Sequence, residues 1–260
     1  MTNERSEIKT SVERQFSQTA ANYRRSRVHA AGEDLARMVV AANLSGQERV
    51  LDAGCGAGHT ALAFAPHVAQ VTAVDLSAEM LAQVEMLAAQ RGVTNISTRR
   101  GDVESLPFAD GEFDLVTSRY SAHHWPHPEW ALDEILRVLK PDGRFLLSDI
   151  VSFESYVCDT YLQTIELLRD PSHVRDHTVA QWVNMFEAAG FVADMIFEWR
   201  VPLAFDDWVA RMMTPADNVA ILRKFLGEAP MEVQEALTIQ AGHDFSLSGA
   251  LISGRIISAQ

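Results

Sequence analysis

Between Val50 and Thr60 the chain reads Val-Leu-Asp52-Ala-Gly54-Cys-Gly56-Ala-Gly58-His-Thr, the segment best suited to hold a ligand. An apolar run that enters glycines at alternate positions is a strand turning tightly into a helix, and without Cβ atoms the main chain can lie directly against whatever crosses it. A second carboxylate closes Val71-Thr-Ala-Val-Asp75. An acid at the carboxyl end of a strand is placed to accept hydrogen bonds from both hydroxyls of a ribose; the bland alternative is a helix cap. A nicotinamide dinucleotide would call for GxGxxG, with its pyrophosphate at the helix N-terminus. Here the glycines read GxGxG and His59 stands three places after Gly56, so an NAD(P)-dependent oxidoreductase is the rival reading that the spacing disfavours.

Proton chemistry is concentrated in Ser118-Arg119-Tyr120-Ser-Ala-His123-His124-Trp125-Pro-His127. Imidazole titrates near neutrality, which makes His123 or His124 the candidate general base; the alternative is that one of them merely packs the loop. Tyr120 could orient an acceptor. A second polar cluster, Arg169-Asp-Pro-Ser172-His173-Val-Arg175-Asp-His177, is either a solvated connector or a substrate contact. In the latter case His173 and Arg175 would favour an oxygen-rich or anionic acceptor through charge-assisted hydrogen bonds. The histidine spacings are tolerable for a metal, but no cysteine stands beside the first group and prolines break its helix, so no metal is expected. Cys55 and Cys158 form no CxxC pair and indicate no disulfide framework.

These residues need elements to hold them. Residues about 10–44 read as helical, with Val28, Leu35, Met38 and Val39 on one side. From Arg49 short apolar runs alternate with amphipathic helices: 50–52, 71–74, 96–98, 113–117 and 144–148 are the strand candidates, which implies parallel βαβ units buried on both faces. Ser77 and Gly92 bound one helix, and Pro128 starts another that Pro141-Asp-Gly143 should end. Thr178 with Gln181 is a capping-box signal for a helix ending at Gly190. Strands follow from Phe191 to Val201 and from Ser246 to Ser258, with a helical insertion at about 205–241. The expected organisation is an N-terminal helical cover over 1–44 and one α/β domain over 45–260 that carries the insertion.

A net charge of −13 over 260 residues repels polyanions, so no nucleic-acid substrate is expected. Arg24-Arg25-Ser26-Arg27 reads as a solvated face. No leader and no span of apolar residues long enough to cross a bilayer is visible, which points to a cytoplasmic chain without a membrane span. The sequence is compatible with a homodimer.

Four ordered motifs, Val50-Leu-Asp-Ala-Gly-Cys-Gly-Ala-Gly58, Ala73-Val-Asp-Leu-Ser77, Gly101-Asp-Val-Glu-Ser-Leu-Pro-Phe-Ala-Asp-Gly-Glu-Phe-Asp-Leu-Val116 and Glu134-Ile-Leu-Arg-Val-Leu-Lys-Pro-Asp-Gly-Arg144, together resemble the class I methyltransferases. Within them the chain is similar to the quinone-methylating, UbiE-like branch (methyltransferase type 11). The resemblance implies an α/β, Rossmann-like, seven-stranded and mostly parallel sheet with helices on both faces and the final strand antiparallel. It implies S-adenosylmethionine as cofactor, lined by Gly54, Gly56 and Gly58. Asp52 would lie beneath the methionine part and Asp75 on the ribose, with Leu76 against the adenine. Asp102 would meet the adenine amino group beside the Val103 backbone, and Ser118 would lie under the methionine end. Arg25 or Arg119 could receive the methionine carboxylate, and Phe16 and Tyr23 would form an aromatic cover in which Tyr23 faces the sulfonium. The acceptor is then a small molecule, aromatic or quinone-like, methylated on a C, O or N atom by in-line displacement. A binding module without catalysis is the other reading.

Overall fold

Short apolar runs separated by amphipathic helices can bury both faces as a parallel sheet between helical layers. The computed structural model describes residues 7–25 and 32–256, the side chains of 21–25 excepted, and has this arrangement. β1 (Arg49–Ala53), β2 (Gln70–Asp75), β3 (Ile96–Arg100), β4 (Phe113–Arg119) and β5 (Leu139–Val151) pair in parallel. With β6 (Phe191–Leu203) and β7 (Phe245–Ile256) they form a seven-stranded sheet of order β3-β2-β1-β4-β5-β7-β6. β7 runs antiparallel to both β5 and β6, so it alone is reversed in this sheet. Chain direction across the sheet switches between β1 and β4, and a crevice opens beyond their carboxyl ends, the place where open α/β sheets take ligands.

Alternation along the strands divides the core. Leu51, Ala53, Val116 and Phe145 face a layer that includes Leu132 and Trp182; these come from the helices Pro128–Val138 and Val179–Ala189. Val50, Ala73, Leu115 and Leu146 face Met38, Phe64 and Val84 on the other side, carried by the helices Glu33–Ala41, His59–Phe64 and Ala78–Arg91. In chain order, α1 is Glu7–Arg25, α2 Glu33–Ala41, α3 His59–Phe64, α4 Ala78–Arg91, α5 Pro128–Val138, α6 Tyr156–Arg169 and α7 Val179–Ala189. Three further helices, α8 (Phe205–Arg211), α9 (Ala216–Gly227) and α10 (Met231–Leu237), lie between β6 and β7. Their Trp208, Leu222 and Val233 pack with Leu162 of α6 on Ile150, Val201 and Leu247, where β5, β6 and β7 continue past the shorter strands.

Helix boundaries follow local chemistry. Ser77 Oγ accepts from the Met80 N–H at 3.2 Å, and Gly92 ends α4 in the left-handed conformation. Thr178 and Gln181 form the reciprocal capping box. Two boundaries differ from the sequence reading. Among the described residues the stretch about 10–44 holds α1 and α2, and Val28 lies outside the described residues. α5 stops at Val138 and Leu139 is already extended and paired with Phe113. Pro141 bars the helical region to Lys140 before it, so Pro141-Asp-Gly143 falls within β5, at the shift of register between Phe113 and Leu115. No helix among the described residues is long and apolar enough to cross a membrane.

Candidate active site

The crevice at the switch point holds a cavity of about 910 Å³. Its floor is the glycine-rich turn. Gly54 has φ +69°, and a Cβ there would lie 2.0 Å from Ser121 Oγ. Gly56, on the cavity wall, has φ +50° and nothing within 4 Å of where its Cβ would be. Any side chain at Gly56 would therefore project into space that the turn keeps open. Gly58 serves the scaffold instead: it borders no part of the cavity, and its Cβ would meet Val84 at 2.8 Å, so it sets the approach of α3 to α4.

Asp75 ends β2 on the same wall and organises the turn. Its Oδ2 accepts from the Gly56 N–H at 2.9 Å, and its Oδ1 from the Ser77 N–H at 2.9 Å. A carboxylate oxygen has a further lone pair, so both remain able to accept from a diol. Burial pushes the Asp75 carboxyl up to about 6. Leu76, Asp102 and Val103 share the wall. Asp52 and Ser118 stand behind it: Asp52 accepts from the Ala61 N–H at 3.0 Å and from Thr117 Oγ1 at 3.2 Å, and burial raises its carboxyl to about 7. Ser118 Oγ is buried without a hydrogen-bond partner.

α1 lies across the mouth. Lys9 Nζ sits 2.7 Å from Asp102 Oδ2 and 2.5 Å from Glu104 Oε2, Glu13 pairs with Arg100, and Ser17 Oγ donates to Glu79 at 2.6 Å. Gln15 Nε2 donates to the Met212 carbonyl at 2.8 Å, joining α1 to the end of α8. Phe16 lines the cavity, edge-on to His124 with ring centroids 4.8 Å apart. The side chains of Tyr23 and Arg25 lie outside the described residues. Arg119 is on the wall, but it is already bonded to Asp34 of α2 through Nε at 2.5 Å and Nη2 at 3.0 Å.

A second cavity of about 530 Å³ adjoins the first, and Tyr120 borders both. Tyr120 has φ +52°, a left-handed conformation that costs a tyrosine on the order of 1 kcal/mol. It is kept there by its N–H on the Ser148 carbonyl at 2.9 Å and by the Arg119 guanidinium 4.6 Å from its ring. The two histidines part company around it. His124 faces the first cavity and His123 the second.

The two rings are held in opposite states near neutral pH. His123 Nδ1 lies 2.7 Å from Asp149 Oδ1. Although burial alone opposes its charge, the Asp149 carboxylate, with Asp176 and Glu166 further off, raises it to about 9, so it already carries the proton a base would need to take. His124 Nδ1 donates to the Ser172 carbonyl at 3.0 Å, and burial beside His123 lowers it to about 4. The polar cluster at 169–177 also divides. His173 is buried and bonds Gln163 Oε1 through Nε2 at 3.1 Å, Arg175 is held by Asp159 at 2.8 Å, and neither borders either of these two cavities. From that cluster Arg169 and Asp176 line the second cavity instead. Asp149 was missed: it lies inside β5, between Ser148 and the apolar Ile150-Val151, whereas Asp75 is the last residue of β2. No cluster of three or more His, Cys, Asp or Glu suited to a metal occurs among the described residues.

The family model for the methyltransferase domain matches residues 51–147. YcgJ of Bacillus subtilis, named an uncharacterized methyltransferase, is 41% identical over 244 residues, covering 92% of this chain and 96% of its own. The chain belongs to the class I S-adenosylmethionine-dependent methyltransferases. YafE of Escherichia coli is 43% identical to this methyltransferase over 187 residues, 72% of this chain and 90% of that protein. The crystal structure of YcgJ matches the fold with a TM-score of 0.83 at 39% identity, covering 87% of this chain and 99% of that one. BH2331 of Bacillus halodurans gives 0.81 at 34% identity, covering 86% and 99%. S-adenosylmethionine is thus the methyl donor, and the nicotinamide alternative falls away. The open cradle at Gly56 and the carboxylate of Asp75 fit that group's main-chain approach and its ribose.

Two titrations of the methyltransferase follow. The ribose role expected of Asp75 requires an acceptor, and below about pH 6 its protonation would turn one oxygen into a donor. Affinity for S-adenosylhomocysteine, measured by calorimetry from pH 8 to pH 5, is expected to be level at the alkaline end and to fall below about pH 6; a flat profile contradicts this. By NMR, the His123 ring should hold its proton to about pH 9 and His124 should stay neutral down to about pH 4. Asp149→Asn should lower His123 from that value, because burial would then act with less opposition.

Proposed function

We propose that this methyltransferase acts on a small molecule, aromatic or quinone-like, that reaches the methyl donor from the cavity beside Tyr120. The observation that carries this reading is that Tyr120 borders both cavities, so a ring-sized guest on one side abuts a cofactor on the other. α1 walls the first cavity and α6 and α8 the second, which leaves room for a small acceptor rather than for a protein or a nucleic acid.

In this reading the main chain at Gly54 and Gly56 lies against the methionine part, and Asp75 accepts from the ribose diol. Leu76 and Val103 flank the adenine and Asp102 meets its amino group, which requires the Lys9 ammonium to share that carboxylate. Asp52, Gly58 and Ser118 support the cradle from behind, Phe16 covers it, and Tyr23 is assigned to the same cover. The donor, when bound, supplies a methyl group made electrophilic by a positively charged sulfur. The chain's contribution is alignment of acceptor, methyl carbon and sulfur, and positioning of this kind can supply up to about 7–11 kcal/mol. An acceptor atom of C, O or N type that arrives without a proton needs no base, which agrees with the state of both histidines.

Incubating the enzyme with methyl-labelled S-adenosylmethionine and a cell extract tests the reading. Label is expected in the small-molecule fraction. Label confined to macromolecules would overturn the acceptor class, and binding of the donor with no transfer would mark a binding module.

A further inference from the structure

We propose that the second cavity selects an apolar molecule bearing a carboxylate, received by the imidazole of His123 that Asp149 holds from behind. The inference rests on the reading of this cavity as the acceptor chamber, and it concerns what that chamber recognises.

The walls are of two kinds. Ile150, Val201, Leu203, Trp208 and Leu247 present hydrocarbon and an indole, and His123, Glu166, Arg169, Asp176 and Arg211 are gathered on the rest. The polar side is built. Asp149 is 2% exposed, and besides His123 it accepts from the Ala122 N–H at 2.7 Å and the Ser121 N–H at 3.2 Å. With Nδ1 committed to Asp149, the opposite edge of the ring, with Nε2, is what His123 has to offer the chamber. Arg169 is 8% exposed and lies 3.3 Å from Glu166, its Nε bonded to the Trp208 carbonyl. Asp176 is 2% exposed and its Oδ2 is buried with no hydrogen-bond partner.

Charge decides the class of guest. Burial pushes the Asp176 carboxyl above its ordinary range, which disfavours a second anion beside Glu166. His123 is an imidazolium for the reason already given. The chamber is lined by three basic side chains, His123, Arg169 and Arg211, and by Glu166 and Asp176; Asp149 pairs with His123 from behind and Glu166 with Arg169. A cationic acceptor would meet like charge, and a neutral one would leave the polar side unmatched in a partly apolar cavity, which is costly. A carboxylate accepts from the imidazolium in a charge-assisted hydrogen bond, roughly twice as strong as a neutral one, while its apolar body lies on Trp208 and Leu247. This moves anion recognition from His173 and Arg175, where the sequence suggested it, to His123 and its neighbours.

The test uses the full-length enzyme saturated with S-adenosylhomocysteine and two probes of equal shape, 2-naphthoate and 2-naphthamide, titrated by calorimetry. The acid is expected to bind at least about tenfold more tightly than the amide, about 1.4 kcal/mol. His123→Gln should bring the two within about twofold while its affinity for S-adenosylhomocysteine is unchanged. Equal binding of both probes, no binding of the acid at millimolar concentration, or a preference that survives in His123→Gln overturns the proposal. Should that variant not fold, Leu247→Trp, which fills the chamber, must abolish naphthoate binding while the cofactor product still binds; naphthoate binding that persists overturns it equally. Failure of the wild-type protein to bind S-adenosylhomocysteine would instead strike the cofactor site beneath both readings.

Discussion

Asp75→Ala is expected to weaken S-adenosylhomocysteine binding by about 10- to 100-fold at pH 7.5, where the wild-type carboxyl is ionised. The substitution removes the acceptor assigned to both ribose hydroxyls; one hydrogen bond to a charged group contributes about 1.5–3 kcal/mol, and water filling the space of the carboxylate offsets much of the second. It also strips the Gly56 and Ser77 N–H groups of their acceptor, so the turn that forms the cradle loses the contact that tightens it. Asp75→Asn should fall between, since it keeps one acceptor oxygen and presents an NH₂ where the other stood. Calorimetry on folded variants decides the matter, and unchanged affinity in Asp75→Ala would refute the ribose role.

Asp34→Ala is expected to cost about 3–5 kcal/mol of folding stability, read by urea denaturation. Asp34 and Arg119 are both buried, with side-chain exposures of 2% and 3%, and they bond through two nitrogens to two oxygens. Removing the acid strips a nearly buried guanidinium of two charge-assisted bonds, whereas replacing the whole pair by apolar side chains is often neutral. The double substitution Asp34→Ala with Arg119→Met should therefore recover much of the loss; equal instability of single and double variants would show that the packing of α2, and not the ion pair, was lost. Tyr120 should report the same change, because the Arg119 guanidinium lies over its ring. Weakened cofactor binding in Asp34→Ala would follow from that disturbance on the shared wall.

Elements with a strong local pattern were legible without coordinates. β1 to β5 coincide with the apolar runs, and the caps at Ser77, Gly92, Thr178 and Gly190 are where residue type alone places them. Gly54, Gly56, Asp75, Leu76, Asp102 and Val103 come together on one cavity because each lies at or just past the carboxyl end of a strand, and parallel strands bring those ends to one edge. The glycine-rich turn was read too generously at Gly58, since spacing cannot tell a residue that faces a ligand from one that faces the next helix. Lys9 was not singled out at all; nothing around it in sequence points to Asp102, which is 93 residues away.

The histidines show where reading along the chain runs out. Residue type said that imidazole could serve as a base, but its protonation depends on burial and on charges from distant segments. His123 and His124 are adjacent, and they are driven in opposite directions: one meets Asp149 in β5, the other the Ser172 carbonyl in the loop after α6. Arg175 likewise looked available until Asp159 of α6 was seen to hold it. The sequence by itself determined the α/β class, the strand ends that carry the cradle and the carboxylate at Asp75, because these follow from hydrophobic period, glycine geometry and short-range caps. Tertiary structure alone decided which histidine faces which cavity, which carboxyl groups are pushed above their ordinary range, and that Tyr120 stands between the two cavities, because solvation and charge pairing are set by neighbours that folding, not sequence order, brings within a few ångströms.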